Sequence, residues 1–220
     1  MNDVLLQAAA EKQNPDRKQL QRIDWLQQAL DIFVAEGIDA VRITRLADDL
    51  DVTRGSFYWH FENRKELIDA LVDYWKRKNT PAITQAIERA ESLEQGILQF
   101  FEISVHPSRF DARLDLALRE WARRSDAIRL EVDHEDSLRI KSIQTFFARF
   151  EYPLPDALIR ARVLYFATIG FNALEVHESL AIRLGYTEAY FECFTGKKIA
   201  PRDADRFRQY ILSTYGEAQS

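Results

Sequence analysis

Helical periodicity is the feature of this sequence that most limits its fold. Apolar residues recur three and four positions apart along almost the whole chain, whereas the apolar–polar alternation of a half-buried strand is nearly absent. Only seven glycines occur among 220 residues, which leaves few positions for the tight turns of β-hairpins. The sequence therefore predicts an all-α protein.

The composition excludes several other classes of protein. A chain that is 46% hydrophobic and 30% charged is neither disordered nor fibrous, and its longest apolar run falls short of the roughly 20 residues that cross a bilayer. The N-terminus lacks the basic-then-apolar layout of a signal peptide, so we expect a cytoplasmic protein. Cys193 is the single cysteine, which excludes an internal disulfide and a cysteine-rich zinc site.

The first third of the chain predicts two short helices joined by a tight turn. A long helix over Asp16–Glu36 ends at Gly37, a short one covers Ile43–Leu50, and a second short one covers Arg54–Trp59 with Thr53 as its N-cap. Asp51, in the turn, is a residue type that tolerates the left-handed conformation. This order of elements is that of a helix-turn-helix.

A further helix is predicted to follow the motif. Asn63 and Glu66, three residues apart, have the pattern of a capping box that starts a helix from Arg64 to about Lys78. Pro81 is predicted to open the next helix.

The second short helix carries side chains that suit contact with a partner. Tyr58 and Trp59 are adjacent and point about 100° apart on a helix, so both cannot face the core. Gly55 costs a helix about 1 kcal/mol relative to alanine, which fits a close approach by another molecule. These features indicate a surface that touches DNA, although packing of Trp59 against the next helix and a capping role for His60 remain open.

The segment "IDWLQQALDIFVAEGIDAVRITRLADDLDVTRGSFYWHFENRKELIDAL", from Ile23 to Leu71, resembles the DNA-binding domain of the tetracycline-repressor (TetR) family of bacterial regulators. The resemblance rests on "LDIFVAEG", on "LADDLDVTRGSFYWHF" and on "NRKEL", matched in order. It implies an N-terminal three-helix DNA-binding domain over residues 1–70, of which 1–15 form a flexible arm. A larger helical domain for effector binding and dimerisation would then occupy residues 71–220.

The resemblance also implies which side chains contact DNA. Arg54, Gly55 and Tyr58 occupy positions where family members approach bases, and Arg54 suits a bidentate contact with guanine. Family members usually have a serine or threonine as the cap of the first short helix, whereas this chain has Val41 and Arg42 there. We therefore expect Arg42 or Thr44 to make any phosphate contact at this position. The full predicted DNA-binding set is Arg42, Thr44, Thr53, Arg54, Gly55, Ser56, Tyr58, Trp59, His60, Arg64 and Lys65.

Charge in this region is a local property, because acidic residues slightly outnumber basic ones between Met1 and Lys78. Arg64 and Lys65 sit in the first turn of a helix, where they oppose its dipole, and this favours an external anionic partner. Binding is expected to depend on one basic face and to fall steeply with salt. That face is predicted to comprise Arg17, Lys18, Arg22, Arg42, Arg45, Arg54, Arg64 and Lys65.

A long helix predicted over Asp156–Leu180 carries small residues at helical spacing, which allow another helix to come close. The same spacing also suits packing within one chain, and this alternative remains open. Because family members dimerise through their last two long helices, the resemblance favours an interface between copies. Its predicted residues are Ala167, Gly170, Phe171, Leu174, Phe207, Tyr210 and Ile211.

Aromatic residues in the second half provide candidates for an apolar effector pocket, although aromatics at this spacing more often form core. The candidates are Phe100, Phe101, Trp121, Phe146, Phe147, Phe150, Tyr165 and Phe166.

The predicted function is that of a homodimeric regulator, with a repressor favoured over an activator, that binds a palindromic operator and is released by an unidentified small molecule. The alternative is a DNA-binding or protein-interaction regulator without an effector. No catalytic motif is present, so we expect no enzymatic activity and no cofactor. Acidic neighbours of His134 leave only a weak indication of a metal site, and none is predicted.

Overall fold

The computed structural model describes residues 20–105 and 109–216, and the regular elements in these ranges are all helical. The prediction of an all-α fold is confirmed for this part of the chain. The predicted N-terminal arm, together with Arg17 and Lys18 of the predicted basic face, lies outside the described residues. None of the described helices is both long enough and apolar enough to span a membrane.

The helices are numbered here in chain order, and a short 3-10 turn at Ile38–Ala40 links the first two. They are α1 (Arg22–Glu36), α2 (Ile43–Asp49), α3 (Arg54–Phe57), α4 (Arg64–Glu88), α5 (Leu93–Val105), α6 (Ala112–Ala122), α7 (Asp126–Arg149), α8 (Leu154–Ala173), α9 (Leu180–Gly185), α10 (Thr187–Thr195) and α11 (Pro201–Tyr215).

A first hydrophobic cluster holds the short helices α2 and α3 in place. Trp25 of α1 meets Phe57 of α3 edge to face with ring centroids 5.4 Å apart, and Phe57 stacks on Phe61. The cluster continues beyond the helix-turn-helix into α6 and α7, where Leu118 and Val132 are buried. Helices this short are marginal alone, so this packing is what maintains them.

Helix α4 is longer than the sequence indicated. The prediction ended this helix near Lys78 and began another at Pro81, but a single helix runs from Arg64 to Glu88 with Pro81 inside it. Buried contacts hold the residues before the proline in helical conformation. The Asn79 side chain donates to the Asp111 carbonyl and accepts from the Asp111 amide, and Thr80 donates to Glu135. Tertiary contacts therefore override the proline signal.

A second cluster joins α4, α5, α7, α8 and α10, and α7 packs along α8. Gly96 of α5 lies against the ring of Phe146 on α7, so these two helices approach closely. Helix α8 ends at Ala173, earlier than the predicted Leu180, because the chain turns at Glu175 with a φ of 48°. The additional helix α9 begins after Ser179, whose hydroxyl accepts from the Ile182 amide.

Candidate nucleic-acid interface and ligand cavity

The turn between α2 and α3 has the predicted left-handed residue, since Asp51 has a φ of 52°. Thr53 occupies the N-cap position of α3, but its side chain makes no capping hydrogen bond, so that part of the prediction is wrong. The amides of such a short helix are partly satisfied by local backbone bonds, such as Ser56 N to Thr53 O at 3.0 Å. The Thr53 hydroxyl is exposed.

Two large aromatic side chains of the α3 segment point into solvent. Trp59 is 88% exposed and Tyr58 is 59% exposed, so the alternative in which Trp59 packs against α4 does not hold. Gly55 is also exposed, and a Cβ added there would meet only the Thr53 hydroxyl at 3.7 Å. Ser56 and His60 are partly buried beside them. The α3 segment therefore presents exposed aromatic side chains and exposed backbone at Gly55.

Three of the six described cations of the predicted basic face form ion pairs within the chain. Arg22 binds Glu66 at 3.0 Å, and its guanidinium lies 4.3 Å from the centroid of the Phe61 ring. Acidic partners also neutralise two further cations: these ion pairs are Arg45 with Asp49 and Glu36, and Lys65 with Asp69. The usable positive charge on this face is therefore smaller than the sequence indicated.

Arg64 has a structural role that the sequence did not reveal. Its guanidinium donates to the carbonyl oxygens of Val41 at 2.5 Å and Ile38 at 2.6 Å, and so fixes the entry to α2. Arg42 likewise donates to the Asp39 carbonyl at 3.0 Å. Thr44 is exposed in the first turn of α2. Both Arg42 and Arg64 lie beside the predicted surface, with part of their hydrogen-bonding capacity used by the fold.

Arg54 differs from its neighbours, because within the described residues it has no ion pair or side-chain hydrogen bond. It is exposed at the start of α3. An unpaired guanidinium, two exposed aromatics and the amides of a helix start lie together on one surface. Such a surface suits both phosphate contacts and reading of a major groove.

The start of α4 is capped as predicted on one side. Asn63 accepts from the Glu66 amide at 3.0 Å, whereas Glu66 accepts from the Glu62 amide rather than from Asn63 itself. That backbone bond and Arg22 lower the pKa of Glu66.

A buried polar network that the sequence did not reveal joins α4, α6, α7 and α8. Asp115 of α6 accepts hydrogen bonds from Trp75 at 2.8 Å and from Arg139 at 2.9 Å. Arg119 binds Asp115 and Asp136, and the Tyr165 hydroxyl donates to Asp136 at 2.7 Å. Aspartates and arginines at helical spacing look like solvated faces in a sequence, so no local signal identified these buried pairs.

The charges in this network shift each other's protonation equilibria. Burial raises the pKa of Asp115, but the nearby charges of Arg139 and Arg119 outweigh it, so the pKa lies below its usual value. Burial raises the pKa of Tyr165. Asp115 is therefore ionised and Tyr165 is neutral at ordinary pH. The network ties α4, α6, α7 and α8 together.

Beside the network is a cavity of about 640 Å³, here called the α1/α8 cavity because these helices form opposite walls. Its volume falls in the range of small-molecule sites. Of the predicted pocket residues, Phe100 and Tyr165 line it. Further lining residues come from α1, α4, α5, the start of α6 and α8: Gln27, Leu30, Asp31, Val34, Tyr74, Lys78, Ile83, Ile103, Phe110, Asp111, Ala112, Arg113, Thr168, Ile169 and Asn172.

The other predicted pocket residues lie elsewhere. Trp121 packs edge to face on Phe33 of α1, and Phe101 lines a separate, smaller cavity of about 130 Å³. Phe146 contacts both Phe147 and Phe150 in the second cluster, with ring centroids 5.5 and 5.2 Å apart. Phe166 is exposed on α8.

Comparison with known proteins agrees with the helix-turn-helix. The model of the family described as "Bacterial regulatory proteins, tetR family" matches residues 26–71. Residues 26–71 are therefore similar to the DNA-binding part of TetR-family regulators. The match covers the part of the molecule that runs from α1 into α4.

Two curated TetR-family relatives from Escherichia coli illustrate how far the similarity extends. Tetracycline repressor protein class A from transposon 1721 is 30% identical over 98 residues, covering 44% of this chain and 45% of the relative. A probable acrEF/envCD operon repressor is 30% identical over 76 residues, covering 34% of this chain and 31% of the relative. The chain thus matches less than half the length of either relative.

Solved structures extend the similarity in fold to most of the chain. A TetR-family regulator from Cytophaga hutchinsonii superposes with a TM-score of 0.64 at 17% identity, covering 83% of this chain and all of the other. At this identity the likeness concerns the fold alone. It supports the same order of an N-terminal helix-turn-helix and a larger helical part.

The residues predicted for a TetR-family dimer interface divide into two groups. Phe207 and Ile211 of α11 are buried within the chain, where they pack with Leu180 and Leu184 of α9. On α8, Ala167 and Leu174 are exposed, Gly170 has no neighbour that a Cβ would meet within 4 Å, and Phe171 is partly buried. Tyr210 is exposed and donates to Glu102 at 2.9 Å.

Proposed function

We propose that this chain is a TetR-family transcriptional regulator that binds duplex DNA through α2, α3 and the start of α4. The observation that carries the proposal is an exposed set made of Arg54 and Gly55 on α3 and of Tyr58 and Trp59 directly after it, since α3 ends at Phe57, whose side chain is buried, rather than at the predicted Trp59. Exposed aromatic side chains that lie together mark interaction sites, and the second helix of a helix-turn-helix is the element that enters the major groove. The tetracycline repressor among its relatives supports repression rather than activation.

We further propose that two copies associate through α8 and bind a palindromic operator. Ile159, Val163, Phe166 and Leu174 form an exposed apolar stripe at helical spacing on this helix, which supports an interface between copies. Two-fold symmetry then places the two α3 helices on successive turns of the duplex.

Within this proposal, residues 1–70 act as the DNA-binding part and residues 71–220 as the effector-binding and dimerisation part. Helix α4 crosses this boundary without a break, and therefore links the two parts mechanically. A small molecule in the α1/α8 cavity would shift the position of the DNA-binding part. This role requires neither catalysis nor a cofactor, and a cytoplasmic location suits it.

The experiment that tests DNA binding is a selection from a random duplex library at physiological salt. The wild type is compared with the double variant Arg54→Ala, Tyr58→Ala and with a matched control, Arg129→Ala, Tyr186→Ala, whose two exposed side chains lie outside the proposed DNA-binding elements, on α7 and directly after α9. We expect a palindrome enriched by the wild type and the control and lost in the α3 variant. No enrichment by the wild type would reject sequence-specific binding, and the exposed aromatics would then indicate a protein partner.

The second candidate is a regulator that binds DNA without a small molecule. The α1/α8 cavity favours the ligand-responsive form, because a regulator without an effector has no need of an unfilled space of this size.

A further inference from the structure

We propose that the α1/α8 cavity binds an amphipathic anion, with an apolar body and one acidic group, and that this ligand contacts α1 directly. The proposal rests on the regulator function proposed above and specifies the chemistry of its effector. It is carried by the lining of the cavity, by the hydrogen-bond state of its charged residues and by the position of α1.

The interior of the cavity suits an apolar or aromatic body. Phe100, Phe110, Ile83 and Ile103 are buried side chains that contribute to its wall, and Ile169 adds a further apolar surface from α8. Burial of apolar ligand surface against such a wall supplies most of the binding free energy.

Two cations at the cavity are poorly satisfied. The Lys78 ammonium lies 3.7 Å from Asp111 and 3.4 Å from the Tyr74 hydroxyl, both longer than a good charge-assisted hydrogen bond. Arg113 is exposed at the start of α6 and, in the described part of the chain, has no ion pair or hydrogen bond of its own. An anionic group near these two side chains would gain contacts that the protein itself does not supply.

The two carboxylates in the lining are already in use. Asp111 caps α6 by accepting from the Leu114 amide at 3.0 Å, and Asp31 accepts from the Gln27 side chain at 3.0 Å. Although the lining contains equal numbers of acidic and basic side chains, each carboxylate accepts a hydrogen bond of 3.0 Å, whereas neither cation donates one shorter than 3.4 Å within the described residues. This asymmetry favours an anion over a cation as ligand.

One wall of the cavity belongs to the DNA-binding head. Leu30 and Val34 of α1 face the same space as Thr168 and Asn172 of α8. A ligand in this space therefore touches both parts of the molecule, and its size sets the separation of α1 from α8. Ligand binding would then change the orientation of α3 without passing through a chain of intermediate residues.

The test uses a matched pair of fluorescent probes on the full chain. 8-Anilinonaphthalene-1-sulfonate carries an anionic group, whereas N-phenyl-1-naphthylamine has the same aromatic skeleton without the sulfonate. We expect the anion to bind at a saturable site and more tightly than its neutral counterpart. Lys78→Gln and Arg113→Gln should each weaken the anion by about tenfold and leave the neutral probe nearly unchanged. Lys141→Gln, an exposed cation on α7, is the control.

A substitution on α1 tests the second part of the proposal. Val34→Trp, which places a larger side chain at the cavity wall, should weaken both probes, while circular dichroism and thermal unfolding verify that the variant folds. Three outcomes would overturn the anion proposal. The lysine and arginine variants could lose affinity for both probes, they could bind the anion as tightly as the wild type, or the wild type could show no saturable binding. Undiminished binding to Val34→Trp would overturn contact with α1. These assays contain no DNA, so a failed operator selection with intact anion binding would reject the regulator function alone.

Discussion

At the scale of single residues, Arg139 is the side chain on which the buried contacts converge. Its guanidinium donates to Thr80, Asp115 and Tyr165 and lies 5.0 Å from the centroid of the Trp75 ring. Because Asp115 is almost fully buried, its charge depends on this partner and on Arg119. The ion pair between Arg139 and Asp115, with the hydrogen bonds around it, therefore fixes the packing of α4, α6, α7 and α8.

Removing Arg139 should strongly destabilise the fold. Arg139→Met leaves the charge of Asp115 buried without its main partner, at an expected cost of about 3–5 kcal/mol in the free energy of unfolding. Lys141→Met, an exposed change on the same helix, should cost less than about 0.5 kcal/mol. Urea unfolding followed by circular dichroism measures both values. Adding Asp115→Asn to Arg139→Met should recover part of the loss, and equal costs for the two single variants would contradict this account.

Gly55 is predicted to serve binding rather than folding. A Cβ there meets only the Thr53 hydroxyl at 3.7 Å, so Gly55→Ala should leave the fold intact or stabilise it by up to about 1 kcal/mol. If DNA approaches the α3 backbone as proposed, the added methyl should weaken operator binding by about tenfold or more. Thermal unfolding and a fluorescence-anisotropy titration measure the two effects. An alanine variant that bound the operator as tightly as the wild type would exclude a close approach at this glycine.

At the scale of elements, the sequence predicted those parts whose signals are local. The helix-turn-helix was recognisable because each of its signals, namely the Asp51 turn, the Asn63 cap and the apolar spacing of α1, is contained in a short stretch of neighbouring residues. The continuity of α4 through Pro81 was not recognisable, since it depends on Asn79 contacting Asp111, 32 positions away. For the same reason Arg64 looked like a free cation although it binds the backbone at Ile38 and Val41.

The candidate site likewise has a part that local sequence signals predicted and a part that they did not. The sequence indicated that Tyr58 and Trp59, as adjacent residues, cannot both face the core, whereas the α1/α8 cavity arises from five separate segments and has no motif. Aromatic residues were used as the pocket signal, but most of them form core, as Phe147 does. The lysine and arginine at the cavity, Lys78 and Arg113, were not selected because an isolated cation on a helix looks like solvated surface.

The crossing of α5 and α7 provides a prediction about packing. An alanine Cβ at Gly96 would lie 2.2 Å from a ring carbon of Phe146, which is buried and would have to shift. Gly96→Ala should therefore destabilise the protein by about 1–3 kcal/mol. Gly185→Ala in α9, where nothing lies within 4 Å of the added carbon, is the matched control and should be neutral. Similar unfolding midpoints for the two variants would show that the helices separate at little cost.

At the scale of the whole molecule, α1 and α8 connect three features: the α3 surface, the α1/α8 cavity and the apolar stripe on α8. Helix α1 carries core residues that hold α3 and also lines the cavity, while α8 forms the opposite wall and displays the stripe. A ligand between them would act on the spacing of the two heads of a dimer. The proposed mechanism therefore requires association of two copies.

Association is predicted to depend on the exposed stripe of α8. Phe166 is 54% exposed and Leu174 is 77% exposed, and Gly170 between them leaves room for a second helix. Phe166→Glu places a charge at the centre of this face and should convert a dimer into a folded monomer, because burying unpaired carboxylates outweighs the apolar contact. Sedimentation velocity at micromolar concentration measures the change. Leu130→Glu, at a site on α7 that is 71% exposed, should remain dimeric. A monomeric wild type, or a dimeric Phe166→Glu, would reject this interface, and the operator would then have to be read by single heads or through another face.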